Sequence, residues 1–530
     1  MKLFLRLSFG TLLAWVAPAV AQTPAPAEPA AQPADPKPAS DPPAQPPPTQ
    51  PDLVAPPAPA PAVNGQPPPP PVNPTLARGV EWTSLRLLRA KGVISEAEYA
   101  SALKDMGEVL GAPEANTLVV SKLKVTLFGF AQADFTYNST ESCQEFCSNA
   151  LIQKSGTYRG DHSRMVFSPR DTRFGVRFAA NEDHGIRASG LIETDFFGPT
   201  ATSEQGTWAN PVLRIRHAYL KLETPYVDVL LGQTGNLFGW ASNYLITGAQ
   251  EPGLPGQMYQ RTSQLKISKT IKTGAGVTVE LAVAAERPPQ MDSGLPEGVA
   301  GVRLQFEKWT GYHTLYLSGS LTQPASIAVT GDLRGFRISE LSSQPKTSHS
   351  RVGGGVSVDA FLPIIPATKA NRDNALSVSG ELVYGKGISD MYTALGGAGV
   401  VVPPAPPIMA GGPNTVYTPN YDAGFAAYDA TGHLELLQWT SYMVGAEFYP
   451  AGVGGRLGLF ANYGHMQSNN TKKFATTTAR DHEDFIGAGF FVDPTKQTRI
   501  GLDYGYYGDH YVDGTDATNH SVMLSAWLFF

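Results

Sequence analysis

Seven basic residues occupy the polar positions of alternating stretches between residues 173 and 303: Arg173, Arg177, Arg187, Arg214, Arg216, Lys266 and Arg303. A guanidinium group reads a carboxylate or phosphate through two parallel hydrogen bonds. A row of such groups along a low-dielectric passage concentrates anions. Glu193, Asp195, Asp359 and Glu381 fall on the same faces. They either order the arginines or offset their charge. Glu193 and Asp195, two apart on one strand face, could also work as an acid/base pair. No G-x-S-x-G elbow, H-E-x-x-H helix or P-loop accompanies them, so no enzyme is expected, and no cofactor or metal. The acidic stretches "DHED" (481–484) and "DGTDATNH" (513–520) read as solvated loops, with weak calcium binding as the rarer alternative. Cys143 and Cys147, the only cysteines, are spaced C-x3-C; in an oxidising compartment that spacing predicts a local disulfide.

The elements that carry these residues are strands. "KVTLFGFAQADFTY" sets Val125, Leu127, Ala131, Ala133 and Phe135 on one face and Thr126, Gln132, Asp134 and Thr136 on the other. "TRFGVRFAA", "IRASGLIETDFF", "VRLQFEKW" and "RIGLDYGYYG" repeat the rule. With 16% charged residues, 10% aromatics and 54 glycines, the composition favours strands and turns. A formal charge of -6 argues against nucleic acid as a partner. After residue 21 no apolar run is long enough for a membrane helix, and a membrane protein without such helices must close its sheet into a barrel. Short connections ("NEDHG", "ETPY", "IKTGAG", "PTKQT") alternate with long Gly/Pro/Asn/Ser-rich loops, the habit of outer-membrane barrels. Aromatics at Phe196-Phe197, Tyr449 and Tyr506-Tyr507 suggest an interfacial girdle. The fold class is therefore all-β: a transmembrane antiparallel barrel over 122–530 with sixteen strands, the eighth and ninth expected at 298–309 and 312–321. The last of them, "SVMLSAWLFF", alternates without a polar tail, as a closing strand paired on both sides would.

Ahead of the barrel three segments are expected. Residues 1–21 carry Lys2 and Arg6, an apolar core and Ala19-Val20-Ala21, the pattern of a secretory signal. Residues 22–78 form a proline-rich spacer: 22 of the 45 prolines lie between Pro24 and Pro74, with an extended reach of roughly 160 Å. Residues 79–115 read as a short helical hairpin, its second helix opened by the capping box Ser95/Glu98. This extension points to periplasmic or cell-wall contact, and leaves a structural tether as the alternative to a channel.

The stretches "TRFGVRFAANEDHGIRASGLIETDFFG", "LRIRHAYLKL", "LLGQTGNLFGW" and "VYGKGISDMY" resemble segments of the DcaP-like and phosphate-selective (O and P) porin group of Gram-negative outer membranes. The final strand resembles the C-terminal signal of outer-membrane proteins, with Leu528 where that signal usually has an aromatic. The resemblance implies a homotrimeric, sixteen-stranded pore in outer-membrane lipid, passing small anionic solutes (phosphate or organic acids) or neutral ones. On that reading the seven basic residues, with Glu193 and Asp195, line the pore. The third long loop, Gly235 to Gln260 with Glu251 its only charge, folds inward as a constriction. Loop 392–434 gates or shields the mouth.

Overall fold

The computed structural model describes residues 117–120, 123–199, 211–246, 253–288, 293–315, 319–340, 345–368, 371–400, 426–429, 433–468, 470–474 and 478–530. The signal segment, the spacer and the helical hairpin lie outside the described residues. So do Glu251 and most of the sixth long loop.

Sixteen antiparallel strands form one closed sheet. They are β1 (Leu123–Asn138), β2 (in two segments, Arg164–Ser168 and Arg173–Ala180), β3 (Arg187–Asp195), β4 (Arg214–Glu223), β5 (Asp228–Gly235), β6 (Arg261–Lys272), β7 (Val277–Glu286) and β8 (Glu297–Leu315). They continue as β9 (Gly319–Ser339), β10 (Ser348–Ile365), β11 (Ala375–Lys386), β12 (Gln438–Tyr449), β13 (Leu457–Gln467), β14 (Arg480–Thr495), β15 (Thr498–Tyr511) and β16 (Asp516–Phe529). Each strand pairs with its sequence neighbours, and β1 pairs with β16 from Phe130↔Phe529 to Asn138↔Ser521. That last ladder closes the sheet, so every strand has two partners and no edge is left open. A short strand, Thr117–Val120, folds back on the start of β1.

Alternation settles which face each residue occupies. Leu281, Val302, Val329 and Val358 stand side by side across four strands and are all exposed on the outer wall. Their sequence neighbours point inward, where Thr330, Ser357 and Asp359 are buried. An apolar outer wall beside a polar inner one is the pattern a lipid-embedded barrel requires.

Four expectations need correction. First, β8 runs on to Leu315, and β9 spans Gly319–Ser339 instead of ending near 321. The chain at 310–311, expected as the connection between the eighth and ninth strands, lies within β8, at a register shift between Phe306 and Thr310. It lies opposite Pro324, which has no N–H to give the ladder. Second, the alternation of short and long connections is not strict: 340–347 and 512–515 are short on the long-loop side. Third, Tyr449 and Tyr507 do not join an outer girdle; both are buried on the inner face. Fourth, "DHED" lies within β14, with Glu483 buried, and Asp516 to His520 open β16. Among the described residues no three His, Cys, Asp or Glu side chains are placed to hold a metal ion.

The interior is not an empty tube. The third long loop (236–260) supplies Leu237, Phe238, Trp240, Tyr244 and Met258 to an apolar cluster inside the barrel, joined by Ile388, Met391 and Tyr392 of the sixth long loop and by Trp439 and Phe361 of the wall. A second cluster gathers Cys143, Cys147 and Ile152 of the first long loop with Ile246 and Leu254 of the third. The expected bridge is present: Cys143 and Cys147 form a disulfide with Cα atoms 4.8 Å apart.

Two measurements check this layout. Val302→Lys, on the outer wall, should destabilise the barrel in lipid by roughly 2–4 kcal/mol if it lies near the bilayer midplane, read from urea unfolding in vesicles. Loss of less than about 0.5 kcal/mol would mean that this face does not meet lipid. Alkylation without reductant should label neither cysteine in the exported protein, and alkylation after reduction should label both. Because the closed loop is so short, removing the bridge with Cys143→Ala/Cys147→Ala should cost only about 2 kcal/mol.

Candidate functional site

The arginines cluster because β2, β3 and β4 are adjacent and their polar faces all turn inward. Arg173 lies 3.1 Å from Asp171 and 3.4 Å from Glu193. Arg216 bonds Glu193 at 2.9 Å and Asp195 at 2.6 Å. Arg214 grips Asp195 through two bonds of 2.9 and 2.7 Å. Arg173 and Arg216 are buried, whereas 39% of the Arg214 side chain remains exposed. Glu193 and Asp195 are therefore ion-pair partners of three arginines, which removes the geometry of a free acid/base pair.

Strict alternation fails at one telling position. The β3–β4 register shifts between Glu193 and Thr194, so that Glu193 faces His217 while Asp195 faces Arg214. The shift is a β-bulge. It lets Arg216 and its neighbour His217 both turn inward: Arg216 reaches Glu193 and Asp195, and His217 bonds Thr234 Oγ1 at 3.0 Å.

The third long loop completes the cluster. Arg216 and Arg261, the latter opening β6, both donate to the Tyr259 hydroxyl, at 2.8 and 2.9 Å. Burial alone would raise the Tyr259 pKa; the guanidinium groups of Arg216, Arg261 and Arg173 outweigh it and hold the phenol below its ordinary range. A cavity of about 510 Å³ opens here, lined by Arg214, Arg216, Arg261 and Tyr259, with Phe146 and Tyr392 from the first and sixth loops. Toward the short-turn end a second cavity of about 400 Å³ is lined by Arg173, Arg177, Lys496 and Arg499 among aromatic rings. Arg177 stacks over Phe128 at 3.9 Å, and Arg499 over Phe491 at 3.5 Å. Such stacking holds a guanidinium plane in place without neutralising it.

The other expected site residues are dispersed. Arg187 is at the short-turn rim, half-exposed and near Glu182 (3.4 Å) and Glu223 (3.6 Å). Arg303 pairs with Glu280 at 3.0 Å, and Lys266 faces the same interior region near Glu280 and Glu286. Asp359 and Glu381 do not partner the arginines. They are direct cross-strand neighbours on β10 and β11, both buried, and Glu381 accepts the Met258 N–H at 2.7 Å. Glu381 thereby holds the third loop, while Asp359 accepts from Ser357 at 2.6 Å. Sequence reasoning missed Tyr259, Arg261, Asp171, Lys496 and Arg499. Parity hides Arg261: it opens β6 in register with exposed Ser263, Leu265 and Ile267, whereas Thr262, Gln264 and Lys266 form the inward set. Arg334, buried between Glu297 (2.8 Å) and Asp390 (2.7 Å), was missed because it lies in the unexpected half of β9.

No protein-family model matches the chain, and no curated protein matches it in sequence. Solved structures do. The outer-membrane channel DcaP of Acinetobacter baumannii aligns at a TM-score of 0.53 with 19% identity, over 79% of this chain and 100% of that one. An anion-selective porin from Comamonas acidovorans aligns at 0.45 with 13% identity, over 77% and 100%. OmpT of Vibrio cholerae aligns at 0.42 with 11% identity, over 78% and 100%. The chain thus has the fold of the DcaP channel: a closed sixteen-strand antiparallel barrel of the outer-membrane porin type.

Proposed function

We propose that this protein is an outer-membrane porin, a water-filled channel for small solutes that favours anions such as phosphate or small organic acids, and that it works as a homotrimer. The observation that carries the anion preference is the run of cations along one side of the interior. Arg177 and Arg499 flank the short-turn cavity, Arg173 follows, and Arg214, Arg216 and Arg261 border the larger cavity. Arg187, Lys266 and Arg303 lie apart from this run, each with carboxylates of its own nearby. Around Tyr259 four guanidinium groups (Arg173, Arg214, Arg216 and Arg261) face three carboxylates (Asp171, Glu193 and Asp195). That arithmetic, four minus three, leaves one positive charge. The pairs fix the arginines in place, and the surplus attracts the solute.

One observation favours a second reading, in which the barrel is a plugged tether between outer membrane and cell wall. Three loops meet inside it and pack two apolar clusters. Conductance in planar bilayers separates the two, because a tether stays silent.

Selectivity is best tested at exposed cations, since removing Arg173 or Arg216 would orphan buried carboxylates at a cost of about 3–5 kcal/mol. At about 5 Å in water a unit charge is worth about 0.8 kcal/mol, or roughly fourfold in local anion concentration. Arg177→Gln/Arg214→Gln should therefore lower the anion-to-cation permeability ratio several-fold, read from reversal potentials under a low-salt gradient. The effect should shrink in 1 M salt, where the Debye length is about 3 Å. An unchanged reversal potential at low salt overturns the anion preference.

A further inference from the structure

Tyr259 is unusual among the interior groups because one phenol oxygen receives two guanidinium donors, Arg216 Nη2 at 2.8 Å and Arg261 Nη1 at 2.9 Å. A phenol oxygen has two lone pairs and one proton. Both lone pairs are taken by cations, and the hydroxyl donates to no described group. This is the environment that favours the phenolate: both donors are charged, and both bonds strengthen when the oxygen becomes an anion.

The surroundings set how much that matters. The groups facing Tyr259 are Arg173 of β2, Asp171 of the break within β2, Glu193 and Asp195 of β3, Arg214, Arg216 and His217 of β4, and Arg261 of β6; Glu145 of the first loop, paired with Arg170 at 3.1 Å, and Asp390 and Tyr392 of the sixth loop border the same cavity. Asp390 lies outside this group, sharing Arg334 with Glu297, and His217 bonds Thr234. The four guanidinium groups and three carboxylates counted above therefore differ by one charge, and Tyr259 is the remaining acid in contact with two of the four. The loop that carries it is anchored on the same side: Thr393 Oγ1 donates to the Tyr259 carbonyl at 3.0 Å, and the Tyr259 N–H bonds the Met391 carbonyl at 2.8 Å.

From this geometry we infer that Tyr259 is a specificity-determining residue: its ionisation cancels the one surplus positive charge of the arginine cluster and so switches the pore from anion-favouring to unselective as pH rises. The inference rests on the proposed anion channel and names the group that regulates it. The direction follows from the sign of the group. Tyr259 is an acid whose phenol is held below the ordinary tyrosine value of about 10. Below its pKa it is neutral and the surplus stands; above it the phenolate carries one negative charge and the surplus is gone. Arginine stays protonated throughout, histidine has titrated by about pH 8, and ordinary lysine and tyrosine lie at about 10 and above. The range to scan therefore runs from neutral pH to just below the ordinary lysine and tyrosine values of about 10, and comparison with Tyr259→Phe isolates this residue within it.

The experiment measures reversal potentials of the full-length protein in planar bilayers under a low-salt potassium chloride gradient across that window. Wild-type protein should lose its anion preference by about twofold or more as pH rises, and Tyr259→Phe, which keeps the ring and removes the acid, should hold its low-pH selectivity throughout. The ultraviolet difference titration of wild type against Tyr259→Phe should show one phenol ionising below the ordinary range. A wild-type pore that is anion-selective and flat across the window overturns the inference and leaves the channel reading intact, even if the variant fails to fold. So does a Tyr259→Phe pore that titrates like wild type. A wild-type pore with no anion preference at the lower pH overturns the anion reading and this inference with it.

Discussion

A loop laid across the inside of a barrel carries backbone N–H and C=O groups that no strand ladder satisfies, and each one left bare costs on the order of 1–3 kcal/mol. The arrangement of the interior depends on meeting that demand. Wall side chains meet it for the third long loop: Glu286 accepts the Leu237 N–H at 2.8 Å, Thr330 the Gly239 N–H at 2.9 Å, and Glu381 the Met258 N–H at 2.7 Å. The loops also serve one another. Asn149 of the first loop accepts the Gly256 N–H at 3.0 Å and donates to the Thr393 carbonyl of the sixth, also at 3.0 Å. Arg480 of β14 binds the Asn149 and Ala150 carbonyls while Glu483 and Asp509 hold its charge at 2.7 Å each. The left-handed backbone at Gly239 (φ 70°) belongs to the same fit, since a Cβ there would stand 2.7 Å from Met258 Cε. Much of the buried charge in this barrel is therefore structural.

That demand explains what the sequence could and could not disclose. Strand alternation is a local, period-two signal, so the outer wall was legible residue by residue: Val125, Leu127, Phe135, Ile192, Ile500 and Leu502 stand on the face their spacing assigns. The inner face was not, because lumen positions answer to loops far away in the chain. Asp359 and Glu381 look like counter-ions to an arginine row, yet Glu381 serves a loop 123 residues away in sequence. Bulges defeat parity in the same way. The extra inward residue at Arg216 and His217 follows from the β3–β4 register shift, and the hidden extension of β9 follows from the shift facing Pro324. A bulge leaves no mark on composition, and one slipped residue reverses every side chain beyond it.

The two kinds of inward charge have different physics, and the difference decides how such a wall can select. Arg173 and Arg216 are buried against carboxylates, so Coulomb attraction offsets the loss of their hydration and little field escapes. Arg177 and Arg499 stack on aromatic rings, which support the side chain and leave the cation's charge in place, although Asp493 claims Arg499 at 2.7 Å. Counting arginines therefore overstates the positive field. The field inside the barrel is set by the charge left after pairing, concentrated where the cavity touches Arg214, Arg261 and Tyr259. A small surplus held by a dense ion-pair network is rigid, because Arg173 and Arg216 are each fixed by two carboxylates and Arg214 by two bonds to one. It is also sensitive, because a single proton is as large as the imbalance around Tyr259. Dense pairing and strong dependence on one titrating group are thus consequences of the same construction, in which the wall holds the loop and the loop supplies the last charge.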